Sequence, residues 1–463
     1  MYDVVIIGAG IGGLVCGCYL AKAGMKVLIV EQHHKPGGYC TSFKRRGVTF
    51  DAAAHSFGGY RYGILGRVFS DLKIEKRMNF TRFDPSDIVI TPDCRISFWA
   101  DLDKTIRELQ KAFPDESKSI KEFFAFVLGP DPEAFSRRRS WTFKDLLNHF
   151  ISDEKLKAIV SFPLFGNGGL PPSQMSALLG AQIFKQFILD GGYYPEGGMQ
   201  ALPDALSEIF KEHSGKMLFS RPVRKIRIKE RKVSGVVLDN GDFIPARYVV
   251  SNCDARQTFL KLLGKRVVTH EFLDTINNMV LSLSMFILYL GIDKSANLSP
   301  PGSNVWLLFH YDLDKAYLSA KSGDFRNIAG YMVRTSPDKK AVLAFINTSF
   351  RSKNYWTLNK IKWTEALLRK LESEVFPGLS NHILHKEAAT PYTLYRYTLN
   401  DKGAAYGWAG MPSQLAISGF RKPSFIQGLY LTGHWTTQGL GIPGVCYAGS
   451  DTSQMILRKE KHS

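Results

Sequence analysis

Two groups of residues near the start of the chain have the types and spacing for phosphate and ribose recognition. Gly8-Ala9-Gly10-Ile11-Gly12-Gly13 fits the pattern G-x-G-x-x-G. Gly8 permits a tight turn from strand to helix, Gly10 lets the backbone approach a pyrophosphate, and Gly13 lets the helix pack closely on the strand. Phosphates would sit at the helix N-terminus, where free N–H groups and the helix dipole attract anions. Glu31 stands where an acidic residue accepts hydrogen bonds from ribose hydroxyls. The glycine pattern alone is a weak signal, and a glutamate closing a strand needs no ligand. Found together in one strand–helix–strand context, they predict dinucleotide binding.

That chemistry requires particular elements. The apolar run 3–7 predicts a buried strand, 12–23 a helix and 26–30 a second strand, which together make one βαβ unit. A Gly-rich loop follows at 36–39 and another at Gly58-Gly59. Helical spacing recurs over 102–113, 120–128, 143–151 and 173–189. Asp239-Asn240-Gly241 predicts a hairpin turn between strand-like segments of 237–250. Residues 281–292 and 340–347 read as strands of another sheet, and 363–375 as an amphipathic helix. A strand at 429–432, a Gly-rich turn and a helix over about 445–458 follow.

Composition bounds the rest. A chain of 463 residues with 44% hydrophobic and 22% charged residues is long enough for two or three domains and a sizeable core. Lys and Arg number 60 against 42 Asp and Glu, a formal charge of +18, which favours anionic partners. The basic runs are short and scattered, at 44–46, 137–139, 224–232 and 458–461, and no nucleic-acid motif surrounds them. Six cysteines without a C-x-x-C give no metal-ligand spacing and read as reduced thiols of a cytoplasmic protein. No segment reads as a signal peptide or a membrane span. No Ser/His/Asp constellation is visible, and no catalytic residue is assigned.

Four further segments carry a family resemblance. Glu31-Gln32-His33-His34-Lys35-Pro36-Gly37-Gly38 resembles the extended pattern of the two-domain flavoproteins that include amine oxidases and phytoene desaturases. Residues 194–202, Tyr-Pro-Glu-Gly-Gly-Met-Gln-Ala-Leu, are similar to a stretch of carotenoid desaturases. Val223 and the box Val249-Val250-Ser251-Asn252 look like that family's adenine-contacting strand and the segment after it. Gly428 to Gly433, with Gly439-Leu440-Gly441-Ile442-Pro443-Gly444-Val445, resembles its C-terminal flavin signature. The chain is therefore identified as a member of the phytoene-desaturase-like branch, close to carotenoid isomerases and retinol saturases. A stretch from Thr390 to Trp408 is similar to one shared by those last two groups, or is simply an aromatic-rich return into the flavin domain.

The resemblance implies an α/β fold: a discontinuous Rossmann-like FAD-binding domain with a second α+β substrate domain. The expected division is 1–75, 190–265 and 410–463 for FAD, and 76–189 with 266–409 for the substrate. It implies FAD held by Gly8, Ala9, Gly10, Gly12, Gly13, Glu31, Gln32, Gly37, Gly38, Val223, Gly433, Gly441, Ile442 and Val445. The implied activity is an oxidoreductase (desaturase, saturase or redox-neutral isomerase) acting on a carotenoid- or retinoid-like isoprenoid polyene. An amine-oxidase-type flavoenzyme and a non-catalytic binder of prenylated cargo are the alternatives. The wall of a substrate tunnel is expected in 392–408, with Arg396 and Tyr397 at its polar end. His434 follows Gly433 where many relatives have a small or acidic residue. It either tunes the flavin and moves protons or is a hydrogen-bonded residue at a domain seam. Glu196, often Lys in desaturases, caps a turn, and the role of His55 is open. Peripheral attachment to an anionic membrane is expected through Phe123, Phe124, Phe126 and Val127 beside Arg137, Arg138 and Arg139, a buried helix being the alternative.

Overall fold

Four-residue and six-residue apolar runs organise one half of the molecule. In a computed structural model of the chain, Tyr2–Ile7 and Val27–Val30 lie side by side and parallel, with Val5 opposite Leu28. Strand Phe243–Ser251 pairs in parallel on the other side of the first strand, and Leu429–Leu431 pairs in parallel with Phe243–Ser251. Lys216–Leu218 extends the sheet beyond Val27–Val30. The hairpin Val223–Lys229 and Lys232–Leu238 joins antiparallel to the start of Phe243–Ser251 and completes seven strands. The parallel strands read as unbroken apolar runs because both faces are covered. Helices Ile11–Lys22, Ala201–Glu212 and Gly441–Lys461 cover one face, and residues around Phe259, Ile276, Trp408 and Trp435 cover the other. The structure describes residues 1–129, 132–293, 295–296, 298, 300–325, 328–415, 417, 420–436 and 440–461.

A second seven-stranded sheet runs in the order Ile383–Ala389, Ser284–Ile292, Ala341–Thr348, Gly330–Thr335, Asn304–Leu308, Asp87–Ile90 and Arg95–Phe98. All its pairings are antiparallel except Asn304–Leu308 with Asp87–Ile90. Ser284–Ile292 is buried along its whole length because both faces are packed. Trp356 and Trp363 of helix Lys353–Glu374 press on Phe286 from one side. From the other, the helices between residues 102 and 189 bury Ile287, Trp306, Met332 and Phe345.

Three segments link the two halves. The hairpin Ser42–Arg45 and Val48–Asp51 packs Phe43 and Phe50 against Tyr289 of the second sheet. Phe80–Arg82 pairs with Tyr193–Pro195. Ala404 and Trp408 pack into the core of the first sheet. These contacts cross the division drawn from sequence, because short connecting hairpins bury their apolar faces on whichever sheet lies beside them.

The expected membrane-facing residues need correction. Phe123, Phe124 and Val127 are buried among the second sheet's helices. Phe126 packs on Phe135 and Phe150, and the Arg138 guanidinium lies over its ring. Helix Ser117–Leu128 turns this apolar stripe inward, so it has no insertion face there. Among the described residues no helix is long and apolar enough to cross a membrane.

Candidate active site

A cavity of about 580 Å³ lies between the two sheets. Gly8 ends the first strand with φ near +98°, a backbone conformation that favours glycine and turns the chain sharply into helix Ile11–Lys22. No side chain caps that helix and no acidic residue occupies its first turn, which leaves an N-terminus suited to an anion. Gly8, Gly10 and Gly12 line the cavity. Gly13 stands behind the wall, where a Cβ would come within 2.3 Å of the Gly8 carbonyl oxygen, so its absence sets the helix–strand distance. The Ala9 methyl is also in the core; its backbone N–H donates to Glu31 Oε2 at 2.7 Å. The other Glu31 oxygen accepts from the His33 N–H at 2.9 Å. Glu31 thus reaches the cavity already oriented at the end of the second strand.

The remaining residues expected to hold the cofactor also line this cavity: Gln32, Gly37, Gly38, Val223, Gly433, Gly441, Ile442 and Val445. Gly37 donates its N–H to the Ala9 carbonyl at 2.9 Å, tying the second glycine pair to the first loop. Lys35 lines the cavity with its ammonium donating to the Ser42 carbonyl. Gln32 donates to the Tyr397 carbonyl at 3.2 Å, which joins two segments of the cavity wall. Gly439 lies outside the described residues.

Asn252 is the residue that sequence reasoning quoted within the Val-Val-Ser-Asn box without giving it a role. Its side chain occupies the space left by three glycines. A Cβ would fall 2.9 Å from its amide on Gly10, 2.9 Å on Gly12 and 2.4 Å on Gly433. Asn252 therefore interlocks the ends of three neighbouring strands, and the signal for it was a polar residue immediately after a buried apolar strand.

Thr393, Leu394, Tyr397, Thr398, Ala405 and Tyr406 bring the stretch 392–408 into the wall. Tyr392 instead turns to Phe350, and the Arg396 guanidinium lies over the Tyr397 ring away from the wall. Phe187, Met285 and Tyr289 supply apolar lining from the other side. Glu196 accepts from the Asn79 amide at 3.1 Å, outside the cavity.

Both histidines in question face the cavity. Burial lowers the His434 imidazole to about 4, and its ring lies between Tyr39 and Trp435. Burial, then the positive charge of Arg334, lowers His55 to about 3. Each is neutral at physiological pH and retains a lone pair. Among the described residues no group of three or more His, Cys, Asp or Glu is placed to hold a metal.

Glycine-lined loops, an uncapped helix N-terminus and a carboxylate held by two backbone N–H groups meet at one cavity, an arrangement that suits a dinucleotide. The chain matches the flavin-containing amine oxidoreductase family over residues 11–457 and belongs to it; it is a flavoenzyme whose cofactor is FAD. It is 26% identical to the all-trans-retinol 13,14-reductase of Danio rerio, over 99% of this chain and 86% of that one. It is 26% identical to prolycopene isomerase 2 of an Oncidium hybrid, over 97% and 82%. It is 25% identical to the neurosporene-forming phytoene desaturase of Rhodobacter capsulatus, over 98% and 94%. In fold it is similar to the crystal structure of an oxidoreductase from Methanosarcina mazei, with a TM-score of 0.71 and 20% identity over 98% of this chain and all of that one.

Proposed function

We propose that this flavoenzyme desaturates, saturates or isomerises a long isoprenoid polyene of the carotenoid or retinoid kind, drawn into the space between the two sheets. The observation that carries the reading is the chemistry of the cavity wall. Among the described residues two carboxylates line it. Glu31 is engaged by two backbone N–H groups, and Glu387 is paired with Arg45 at 3.0 Å. Among the described residues the wall therefore offers no free anion to a protonated amine, which would be desolvated there without a partner. Phe187, Met285, Tyr289, Leu394 and Tyr406 instead present apolar surface. The full-length likeness to enzymes named for retinol, prolycopene and phytoene supports the same reading.

The flavin frame in this reading comprises 1–75, 190–265 and 410–463, with 76–189 and 266–409 serving the substrate. Gly8, Gly10 and Gly12 with the helix N-terminus hold the pyrophosphate, Glu31 the ribose and Val223 the adenine side. Gly37, Gly38, Gly433, Gly441, Ile442 and Val445 flank the rest of the cofactor. FAD, when bound, supplies hydride chemistry. The protein orients the polyene, excludes water and keeps His55 and His434 neutral beside it. An apolar wall discriminates weakly, at about 1–3 kcal/mol per methylene, so related polyenes should all be accepted.

The test is anaerobic mixing of oxidised and pre-reduced protein with carotenoids, retinoids and simple amines, followed at the flavin band and by product chromatography. Conversion of a polyene is expected. Turnover of amines with no change in any polyene would move the protein to the amine-oxidase reading.

A further inference from the structure

We propose that the end of helix Pro391–Thr398, which comes from the substrate half of the chain, closes over the adenosine side of bound FAD, with Tyr397 and Leu399 as the covering side chains. The inference rests on the placement of FAD given above, with Glu31 at the ribose, and not on the nature of the substrate. One side of this clasp is rigid. Glu31 accepts the N–H groups of Ala9 and His33 at 2.7 and 2.9 Å. The backbone of the same loop is tied to the turn after strand Lys216–Leu218: Arg221 donates its N–H to the Glu31 carbonyl at 3.0 Å, and Ser220 donates to the His33 carbonyl at 2.9 Å. The His33 ring therefore stands at a fixed place, two residues beyond the ribose carboxylate.

The other side is Tyr397. Its ring stacks on His33 with centroids 5.4 Å apart and planes at 28°, and its carbonyl accepts from Gln32 at 3.2 Å. The Arg396 guanidinium lies 5.5 Å from the same centroid. Gln32 and Tyr397 are 365 positions apart, so these contacts join the two halves of the molecule beside the ribose site. Leu394 and Tyr397 both line the cavity, three residues apart on one helix face, so the helix reaches from the apolar space to the loop that carries Glu31.

Leu399 is the second, independent observation. Its φ is +57°, the left-handed conformation that a helix end ordinarily gives to glycine or asparagine. Its N–H donates to the Tyr395 carbonyl at 2.7 Å and closes the helix. A leucine is strained there, and its side chain, 38% exposed, lines the cavity. Tyr397, 49% exposed, likewise borders both cavity and solvent. The two residues therefore mark the mouth beside the ribose site. Strain of this kind persists where the side chain has a task, and the task here is to cover the mouth with apolar surface. Covering groups act chiefly on the rate at which a ligand escapes.

The experiment loads the protein with radiolabelled FAD, chases the holoprotein with excess unlabelled FAD and reads the release rate from the label retained. Tyr397→Ala should release FAD about two- to ten-fold faster, the range of one ring stack, and Tyr397→Phe should match the parent. Leu399→Gly should also release it faster while the unfolding midpoint stays level or rises, because glycine relieves the left-handed turn. A purely structural leucine would give the higher midpoint without the faster release. Unchanged release from Tyr397→Ala overturns the proposal, as does faster release that tracks a lowered midpoint in both variants. Glu31→Gln separates the clasp from the placement of FAD. Faster release from Glu31→Gln alone removes the clasp and leaves the placement standing, whereas no change in Glu31→Gln, Tyr397→Ala or Leu399→Gly removes the placement and the clasp with it.

Discussion

His434 shows how a single buried side chain makes stability depend on pH. The imidazole titrates near 6.5 when unfolded and at about 4 in the fold. Between those values the unfolded chain binds a proton that the folded one does not, so folding stability from this residue is complete above about pH 6.5 and is lost as pH falls toward 4. Asp254 works the other way: burial raises its carboxyl to about 6, so its contribution declines as pH rises through that range. The net pH profile therefore mixes opposite signs, and the informative measurement is a difference. His434→Gln should gain on the parent by about 1–2 kcal/mol between pH 7 and pH 5, read as the change in the gap between their unfolding midpoints. A gap that stays constant over that interval would show that the ring is not held neutral by burial.

At the scale of elements, helix Gly441–Lys461 is placed by the absence of a side chain. A Cβ on Gly449 would lie 2.5 Å from the Gly12 carbonyl and 3.0 Å from Val15, so the two helices touch backbone to backbone. Gly449→Val should cost about 1–3 kcal/mol by overpacking and should lower retained flavin, because the same helix begins at Gly441 on the cavity. Calorimetry together with the flavin-to-protein absorbance ratio checks both, and unchanged values for both would refute the close-packing account. The sequence was informative wherever a local rule dominated. Strand Tyr2–Ile7, helix Ile11–Lys22 and strand Val27–Val30 fall within a residue or so of expectation, because the glycines punctuate them. The Asp239-Asn240-Gly241 turn likewise marks its hairpin. Helix Glu154–Gly168 went unread: it is buried on nearly all sides and contains Pro163, so it shows no amphipathic period and carries a breaker inside. Helix Lys353–Glu374 begins ten residues before the expected start, since its first half exposes Leu358 and Ile361 and hides its period. Strands Asn304–Leu308 and Gly330–Thr335 are short and buried on both faces, with no apolar–polar alternation to announce them. In the site, the glycine loops were legible from their spacing within a strand–helix–strand context, whereas Asn252 matters through glycines remote in sequence.

At the scale of the molecule, the surplus of 18 positive charges needs a location before it implies a partner. The hairpin Val223–Lys229 and Lys232–Leu238 concentrates part of it, with Arg224, Lys225, Arg227, Lys229, Arg231 and Lys232 all exposed. The apolar residues expected to assist insertion are buried, so attraction to an anionic bilayer would be electrostatic, at roughly 1 kcal/mol per basic residue near the surface. Flotation with phosphatidylserine vesicles should show binding at low salt that disappears at high salt, and Lys225→Glu with Lys229→Glu should weaken it. No binding at low salt would exclude the membrane as a partner.

The strand order of the first sheet has a consequence for how the protein is made. Val5 lies opposite Val249, and Val249 lies beside Leu429, so adjacent strands are synthesised far apart in time. At about 5–20 residues per second, roughly 20–90 s separate translation of the first strand from that of Leu429. For the earlier part of that interval the nascent chain carries Val4 to Ile7 without Phe243–Ser251, and until its end Phe243–Ser251 lacks Leu429–Leu431 and helix Ile11–Lys22 lacks helix Gly441–Lys461. The sheet and the glycine-lined turn beside it are thus completed only when the last residues emerge, a circumstance that favours chaperone capture and makes FAD a late arrival rather than a nucleus for folding.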